Sequence, residues 1–167
     1  MTLSLSLLLP GVDAKLRAQA QEMIQGNRPK PSGLLTLRPA TSGHADAEPD
    51  TVRGDDAQLQ QVFMNLLLNA LEAMGTNGVL TVKTETVQDE RSARQLRINI
   101  QDTGVGIAPE NLGRLFEPFF TTKKNGTGLG LAISQRIALE HHGLIHVHSD
   151  PGKGSRFSLS LPAFNAA

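Results

Sequence analysis

The chain has 167 residues, 39% of them hydrophobic and 19% charged, with a formal net charge of +0. That length suits one domain with a buried core, and the charge balance excludes the basic excess that binds nucleic acid through counterion release. Cysteine, tryptophan and tyrosine are absent, which excludes disulfides and thiolate metal sites, accords with a reducing compartment, and leaves Phe alone for aromatic stacking.

In chain order, residues 2–9 alternate Leu with Ser in the manner of a half-exposed strand. The run falls short of the roughly 20 apolar residues that a bilayer span needs, and no Lys or Arg precedes it as in a signal peptide. The chain therefore reads as cytoplasmic, or as the cytoplasmic part of something larger, with no direct membrane contact. Residues 13–25 carry Leu16, Ala20, Met23 and Ile24 at helical spacing, stopped by Gly26. Pro29 and Pro31 break the chain ahead of a short strand over 34–37 and a polar connection over 41–50.

Asp55 and Asp56 place acidic residues at the start of a long helix running to about Met74, which the turn 75–78 ends. Residues 79–87 and 96–100 alternate like two paired strands, joined by the charged segment 88–94. After Asp102 the periodicity loosens through a Gly-, Pro-, Phe- and Lys-bearing stretch up to Gly126, the composition of a functional lid or a disordered loop. Helical spacing returns over 129–142 and stops at Gly143. Two further strands, 144–149 and 156–161, flank the Pro151-Gly152-Lys153-Gly154 turn. There is no internal repeat. Helices interspersed with adjacent strand pairs predict an α+β fold, with a mixed, mostly antiparallel sheet covered on one face by helices.

Four features carry chemical content. On the long helix, at about 100° per residue, Gln58, Gln61, Asn65, Asn69 and Glu72 share a stripe roughly 80° wide on an otherwise apolar cylinder. Asn is a poor helix-interior residue, so the pair is either two satisfied buried amides or a ligand contact, since amide oxygens ligate Mg²⁺ and amide nitrogens meet phosphate. Asp102, ending a strand before Thr103-Gly104-Val105-Gly106-Ile107, is either an Asx-type turn or an acceptor for an exocyclic amino group such as that of adenine. Gly126-Thr127-Gly128-Leu129-Gly130-Leu131 leads into a helix whose first turn can hold an anion, with Thr127, Lys123 and Lys124 as added donors. It matches neither a P-loop nor a dinucleotide fingerprint. Phe116, Phe119 and Phe120, half of the six Phe residues, either pack in the core, pin the lid, or dock on a partner helix. The histidines give no metal site: His141-His142 ends a helix and His146 and His148 share one strand face, without Asp, Glu or Cys company.

Taken together, the motifs resemble a known family. Asn65-x-x-x-Asn69-Ala70, Asp102-Thr-Gly-Val-Gly-Ile107, Phe116-Glu-Pro-Phe-Phe-Thr-Thr-Lys123, Gly126-Thr-Gly-Leu-Gly-Leu131 and Gly152-Lys-Gly-Ser-Arg-Phe157 resemble the N box, first glycine box, F box, second glycine box and final glycine turn of the ATP-binding catalytic domain of sensor histidine kinases. The similarity runs from about Asp13 to Pro162, and the Phe-Glu-Pro-Phe-Phe-Thr-Thr-Lys wording is similar to kinases of the nitrogen-regulation type.

The resemblance implies the two-layer α/β sandwich of the GHKL superfamily. The expected domain is a single one over 1–167, with its core at about 13–162, about three helices on one sheet face, and a flexible ATP lid at about 104–128. ATP and Mg²⁺ are the implied ligands. Asn69 would ligate Mg²⁺, Asn65 would stand beside the phosphates, and Asp102 would read the adenine amino group. Gly104, Gly106, Ile107, Phe116 and Leu129 would shape the pocket. Gly126, Thr127, Gly128 and Gly130 would hold the phosphates, with Lys123 as a lid contact.

Gyrase-type relatives carry a water-activating Glu where Asn65 stands, and an amide is no general base at neutral pH. The resemblance therefore implies slow hydrolysis and a γ-phosphoryl kept for a histidine. The His-Glu-x-x-Asn-Pro setting of the acceptor hairpin is missing here, so the expected partners are a dimerisation and phosphotransfer hairpin elsewhere, then a response-regulator receiver. The isolated chain should be a monomer that binds no nucleic acid. A non-catalytic nucleotide-sensing module and an anti-sigma-type serine kinase are the alternatives.

Overall fold

A computed structural model describes residues 2–4, 36–41, 51–75, 77–88 and 93–163. The expected helix over 13–25, most of the connection 41–50 and the centre of the segment 88–94 lie outside these residues.

Asp55 starts the longest helix, α1 (Asp56–Met74), by accepting the Gln58 N–H at 3.0 Å. This is the side-chain cap that satisfies an otherwise orphaned donor. Gly75 closes the helix by donating to the Leu71 carbonyl. Leu59, Val62 and Leu66 are fully buried on its inner face. The helix is wetter on its polar stripe than an all-round buried cylinder: Gln61 and Glu72 are exposed, and Asn65 and Asn69 are half-buried.

The sheet beneath has five strands in the order β2-β4-β5-β7-β6: β2 (Thr36–Thr41), β4 (Val79–Gln88), β5 (Arg94–Asp102), β6 (Leu144–Asp150) and β7 (Gly154–Pro162). All pairings are antiparallel except β2 with β4. The strand expected over 34–37 is described from Thr36 on and runs to Thr41, which belongs to it rather than to the following connection, while residues 34–35 lie outside the described residues. Two short strands, β1 (Thr2–Ser4) and β3 (Thr51–Arg53), form a separate antiparallel pair, and Val52 bridges to Ala163.

The central strand β5 explains the layering. Its alternate residues Leu96, Ile98 and Ile100 are buried and lie opposite Leu161, Leu159 and Phe157 of β7. These six side chains meet α1, and each one buried contributes about 1.5–3 kcal/mol. The period of two then makes Asp102 the next inward position, a carboxylate at the end of an apolar ladder, only 2% exposed. The opposite sheet face is polar. Ser158 donates to Asn99 Oδ1 at 2.6 Å, and Asn99 Nδ2 donates to Glu85 at 3.1 Å.

Helix α3 (Gly130–Glu140) packs against α1 through Ser134, Ile137 and Ala138. At its C-terminal end the His141 ring bridges the two helices. Nδ1 donates to the Ile137 carbonyl at 2.8 Å, and Nε2 accepts the Asp55 N–H at 3.0 Å. A single-turn helix, α2 (Pro109–Leu112), lies in the segment between β5 and α3. Among the described residues two helices, α1 and α3, cover the sheet, and α2 is a single turn with no buried residue. No described helix is long and apolar enough to cross a membrane.

Candidate nucleotide site

The Asp102 carboxylate is held from two sides. Its Oδ1 accepts the Gly104 N–H at 2.8 Å and the Ser155 N–H at 3.3 Å. Burial pushes the Asp102 carboxyl above the ordinary carboxylate range, opposed by the backbone N–H groups of Gly104 and Ser155. Both of these bonds fall on Oδ1, so Oδ2 is the oxygen that can accept from a ligand. The neighbouring Thr103 hydroxyl does not join it, because Thr103 Oγ1 accepts the Val79 N–H at 2.9 Å and caps the start of β4.

The glycine turn after Asp102 is fixed by its neighbours. Val105 donates to the Ala73 carbonyl near the end of α1, and its own carbonyl accepts the Gly152 N–H at 2.7 Å. Gly106 has a φ of +71°, and a Cβ there would lie 2.1 Å from the Asp150 carbonyl oxygen. Ser149 completes the wall. Its hydroxyl oxygen accepts the Ile107 N–H at 2.8 Å and meets Ser155 Oγ at 2.9 Å.

The other end of the site is built on the two helices. Asn65 Nδ2 donates to the Gly130 carbonyl and to Ser134 Oγ, each at 3.1 Å. The Asn65 nitrogen is therefore spent within the protein, and its oxygen is the atom left for a ligand. A Cβ on Gly130 would meet Asn65 only at 3.7 Å, an ordinary contact, so protein sterics do not demand glycine there.

One turn further along α1, Asn69 Oδ1 accepts from Lys123 Nζ at 2.7 Å, and the same ammonium pairs with Glu72. An amide oxygen and a carboxylate are hard donors suited to Mg²⁺, and the lysine is a cation already standing on Asn69. Among the described residues, no group of three His, Asp or Glu is gathered into an all-protein metal cage.

The segment between β5 and α3 has internal order. Arg114 pairs with Glu117 at 3.1 Å and lies 4.4 Å from the centre of the Phe120 ring. Phe119 N–H donates to the Gly128 carbonyl at 2.9 Å, while its side chain is 74% exposed. Phe116 packs on the core, so the three aromatics have three different fates. Thr127 is exposed, and its Oγ1 lies 3.4 Å from the Leu129 N–H. Gly126 donates to the Lys123 carbonyl.

A family model described as "Histidine kinase-, DNA gyrase B-, and HSP90-like ATPase" matches residues 54–165. The chain belongs to this family. The sensor histidine kinase ZraS of Escherichia coli is 44% identical over 111 residues, which is 66% of this chain and 23% of that protein. Sporulation kinase A of Bacillus subtilis is 45% identical over 111 residues, 66% of this chain and 18% of that protein. This chain thus spans less than a quarter of the length of either relative. Among solved structures, the catalytic domain of the histidine kinase ThkA superposes with a TM-score of 0.73 at 28% identity, covering 97% of this chain and 94% of that one.

Within this ATPase family fold, the residues singled out by sequence fall into two groups. Asp102, Gly104, Gly106 and Ile107 gather at the ends of β5 and β6. Asn65, Asn69, Lys123 and Gly130 gather along α1. Four contributors escaped the sequence reading: Ser134, Ser149, Ser155 and Glu72 in its pairing with Lys123. Only Glu72 carried a signal, its place on the polar stripe of α1.

Proposed function

We propose that this chain is the ATP-binding catalytic part of a two-component sensor histidine kinase of the nitrogen-regulation type. In this reading it binds Mg-ATP and passes the γ-phosphoryl to a histidine outside the chain, from which a response-regulator receiver takes it. The observation that carries the proposal is a half-satisfied buried carboxylate, Asp102, at one end of a site whose other end presents Asn69, Lys123 and the Asn65 amide oxygen. A base that donates from an exocyclic amine and a polyphosphate that binds cations have the matching chemistry.

Asp102 Oδ2 accepts from the adenine amino group, and Gly104, Gly106 and Ile107 bring backbone against the base. Phe116 and Leu129 line the pocket. The turn at Gly126, Thr127, Gly128 and Gly130 surrounds the phosphates, its N–H donors coming from the residues after Gly126, whose own N–H is held by the Lys123 carbonyl, and Lys123 adds a cation. Asn69 Oδ1 would hold Mg²⁺, which when bound neutralises charge on the transferring phosphoryl. Asn65 has no basic lone pair with which to activate water, so the phosphoryl is spared for the acceptor nitrogen. As the new P–N bond forms, the bond from phosphorus to the bridging oxygen breaks and ADP departs. The domain is single, its lid spans about 104–128, and its place is the cytoplasm.

The test is calorimetric titration of the chain with ATP, ADP and GTP, each with and without Mg²⁺. Saturable, adenine-selective binding is expected, followed by transfer to a supplied histidine hairpin. Binding that ignores the base would remove the assignment. Asn69→Ala should weaken Mg²⁺-dependent ATP binding about tenfold or more while sparing metal-free binding. Equal losses in both conditions would take Asn69 out of the metal role.

A further inference from the structure

Lys123 and Glu72 are 51 positions apart in the chain, yet their charges meet across the site, and Asn69 Oδ1 shares the same ammonium. The lysine backbone is locally pinned: its N–H donates to Thr121 Oγ1 at 3.1 Å, and its carbonyl accepts from Gly126. Lys124 beside it is exposed and makes no ion pair among the described contacts. The contact is therefore specific to one of two adjacent lysines, and it spans from lid to core helix.

We propose that Glu72 is a positioning residue that holds the Lys123 ammonium on Asn69 Oδ1, so that the lid lysine and a divalent cation compete for that one oxygen. The inference rests on the reading of Asn69 as a metal ligand given above. An ion on Asn69 at its usual roughly 2.1 Å would stand within about 5 Å of the ammonium, too close for two cations sharing one acceptor. Lys123 must then leave, and the nearest new negative charge is a phosphate. Glu72 sets how readily it leaves. The side chains are 43% and 35% exposed, and an ion pair this open to water is weak enough to exchange readily. That is the property a displaceable hold requires.

The experiment is hydrogen exchange of the backbone amides over residues 119–127 in the whole chain without nucleotide. It compares wild type, Glu72→Gln, Lys123→Met and the double variant, with melting curves to confirm folding. Each single variant should speed lid exchange about twofold to fivefold, and the double no further than either alone. Unchanged exchange in Glu72→Gln would overturn the proposal.

In a second arm, ATP binding is followed as Mg²⁺ is raised. Glu72→Gln should reach half-maximal binding at about twofold to fivefold less Mg²⁺, since its competitor is held less firmly. A higher Mg²⁺ requirement with unchanged lid exchange would make Glu72 a metal ligand and overturn the positioning role. If the wild type bound nucleotide without regard to Mg²⁺, the competition would fall together with the reading of Asn69. The lid-exchange arm would still judge the Lys123–Glu72 hold by itself.

Discussion

Replacing Asp102 with Asn should cost about a hundredfold or more in ATP affinity while leaving the fold intact. The argument is one of donors and acceptors. Asp102 Oδ1 accepts two buried N–H groups, from Gly104 and Ser155. An Asn that keeps its oxygen there must present its NH₂ where Oδ2 stood, donor against the adenine amino donor. The flipped amide satisfies adenine but turns its NH₂ onto the two backbone N–H groups. No rotamer serves both, whereas Ala would also strand the two amides and confuse binding with stability. Calorimetry with a parallel thermal melt separates the effects, and near-wild-type affinity in a folded Asn variant would end the adenine assignment.

The raised pKa of Asp102 adds a pH dependence. Between the ordinary carboxylate pKa and the raised one, the folded chain holds more protons than the unfolded chain. Stability therefore falls as pH rises through that window, and the cost of the buried charge is fully present above it. The Asn variant carries no such charge, so its melting temperature should gain on the wild type over the same rise. Binding runs the other way. As pH drops through the raised pKa, Oδ2 gains a proton and becomes a donor, so affinity for adenosine should fall before an ordinary carboxylate would titrate. Adenosine is the probe because it has no phosphate ionisation of its own, and a profile that falls only where an ordinary carboxylate titrates would contradict the role of Oδ2.

Gly106→Ala should be strongly damaging to stability. The methyl group would stand 2.1 Å from the Asp150 carbonyl oxygen, on a residue whose φ is +71°. The obstacle is backbone, tied by the Gly152-to-Val105 bond, so it cannot swing aside. Left-handed strain and the forced shift together should cost about 3 kcal/mol or more. For a chain of this length that lowers the melting temperature by roughly 10 °C. Circular dichroism melting checks it, and a change under about 2 °C would mean that the turn is far softer than its contacts require.

What was legible in the sequence was what local periodicity records. Asp55 and the apolar spacing behind it mark α1, and alternation marks β5 and β7 down to the inward position of Asp102. Periodicity does not name partners. The parallel seating of β2 on β4 follows from the topology between them, and nothing in residues 34–41 distinguishes a parallel edge from an antiparallel one. The site was legible where glycines and carboxamides stand at unusual places, as at Asn65 and Gly106. It was illegible where ordinary residues act through the fold. Ser134 and Ser149 look like any serine until a buried backbone group or amide needs their hydroxyl. The Lys123–Glu72 pair joins residues 51 positions apart, which no local pattern encodes. Nor does any local pattern show that the His141 ring joins the end of α3 to the start of α1, through Ile137 and Asp55.

That bridging histidine bears on self-modification. Phosphoryl transfer to imidazole needs a nitrogen lone pair free to attack phosphorus. In His141 one ring nitrogen carries the proton given to Ile137, and the lone pair of the other is occupied by the Asp55 N–H. To become a nucleophile, this ring would have to give up its bond to the start of α1 and loosen the pair of helices on which Asn65 and Asn69 are mounted. A domain of this ATPase family thus keeps one of its own imidazoles chemically mute, by using it as a structural joint.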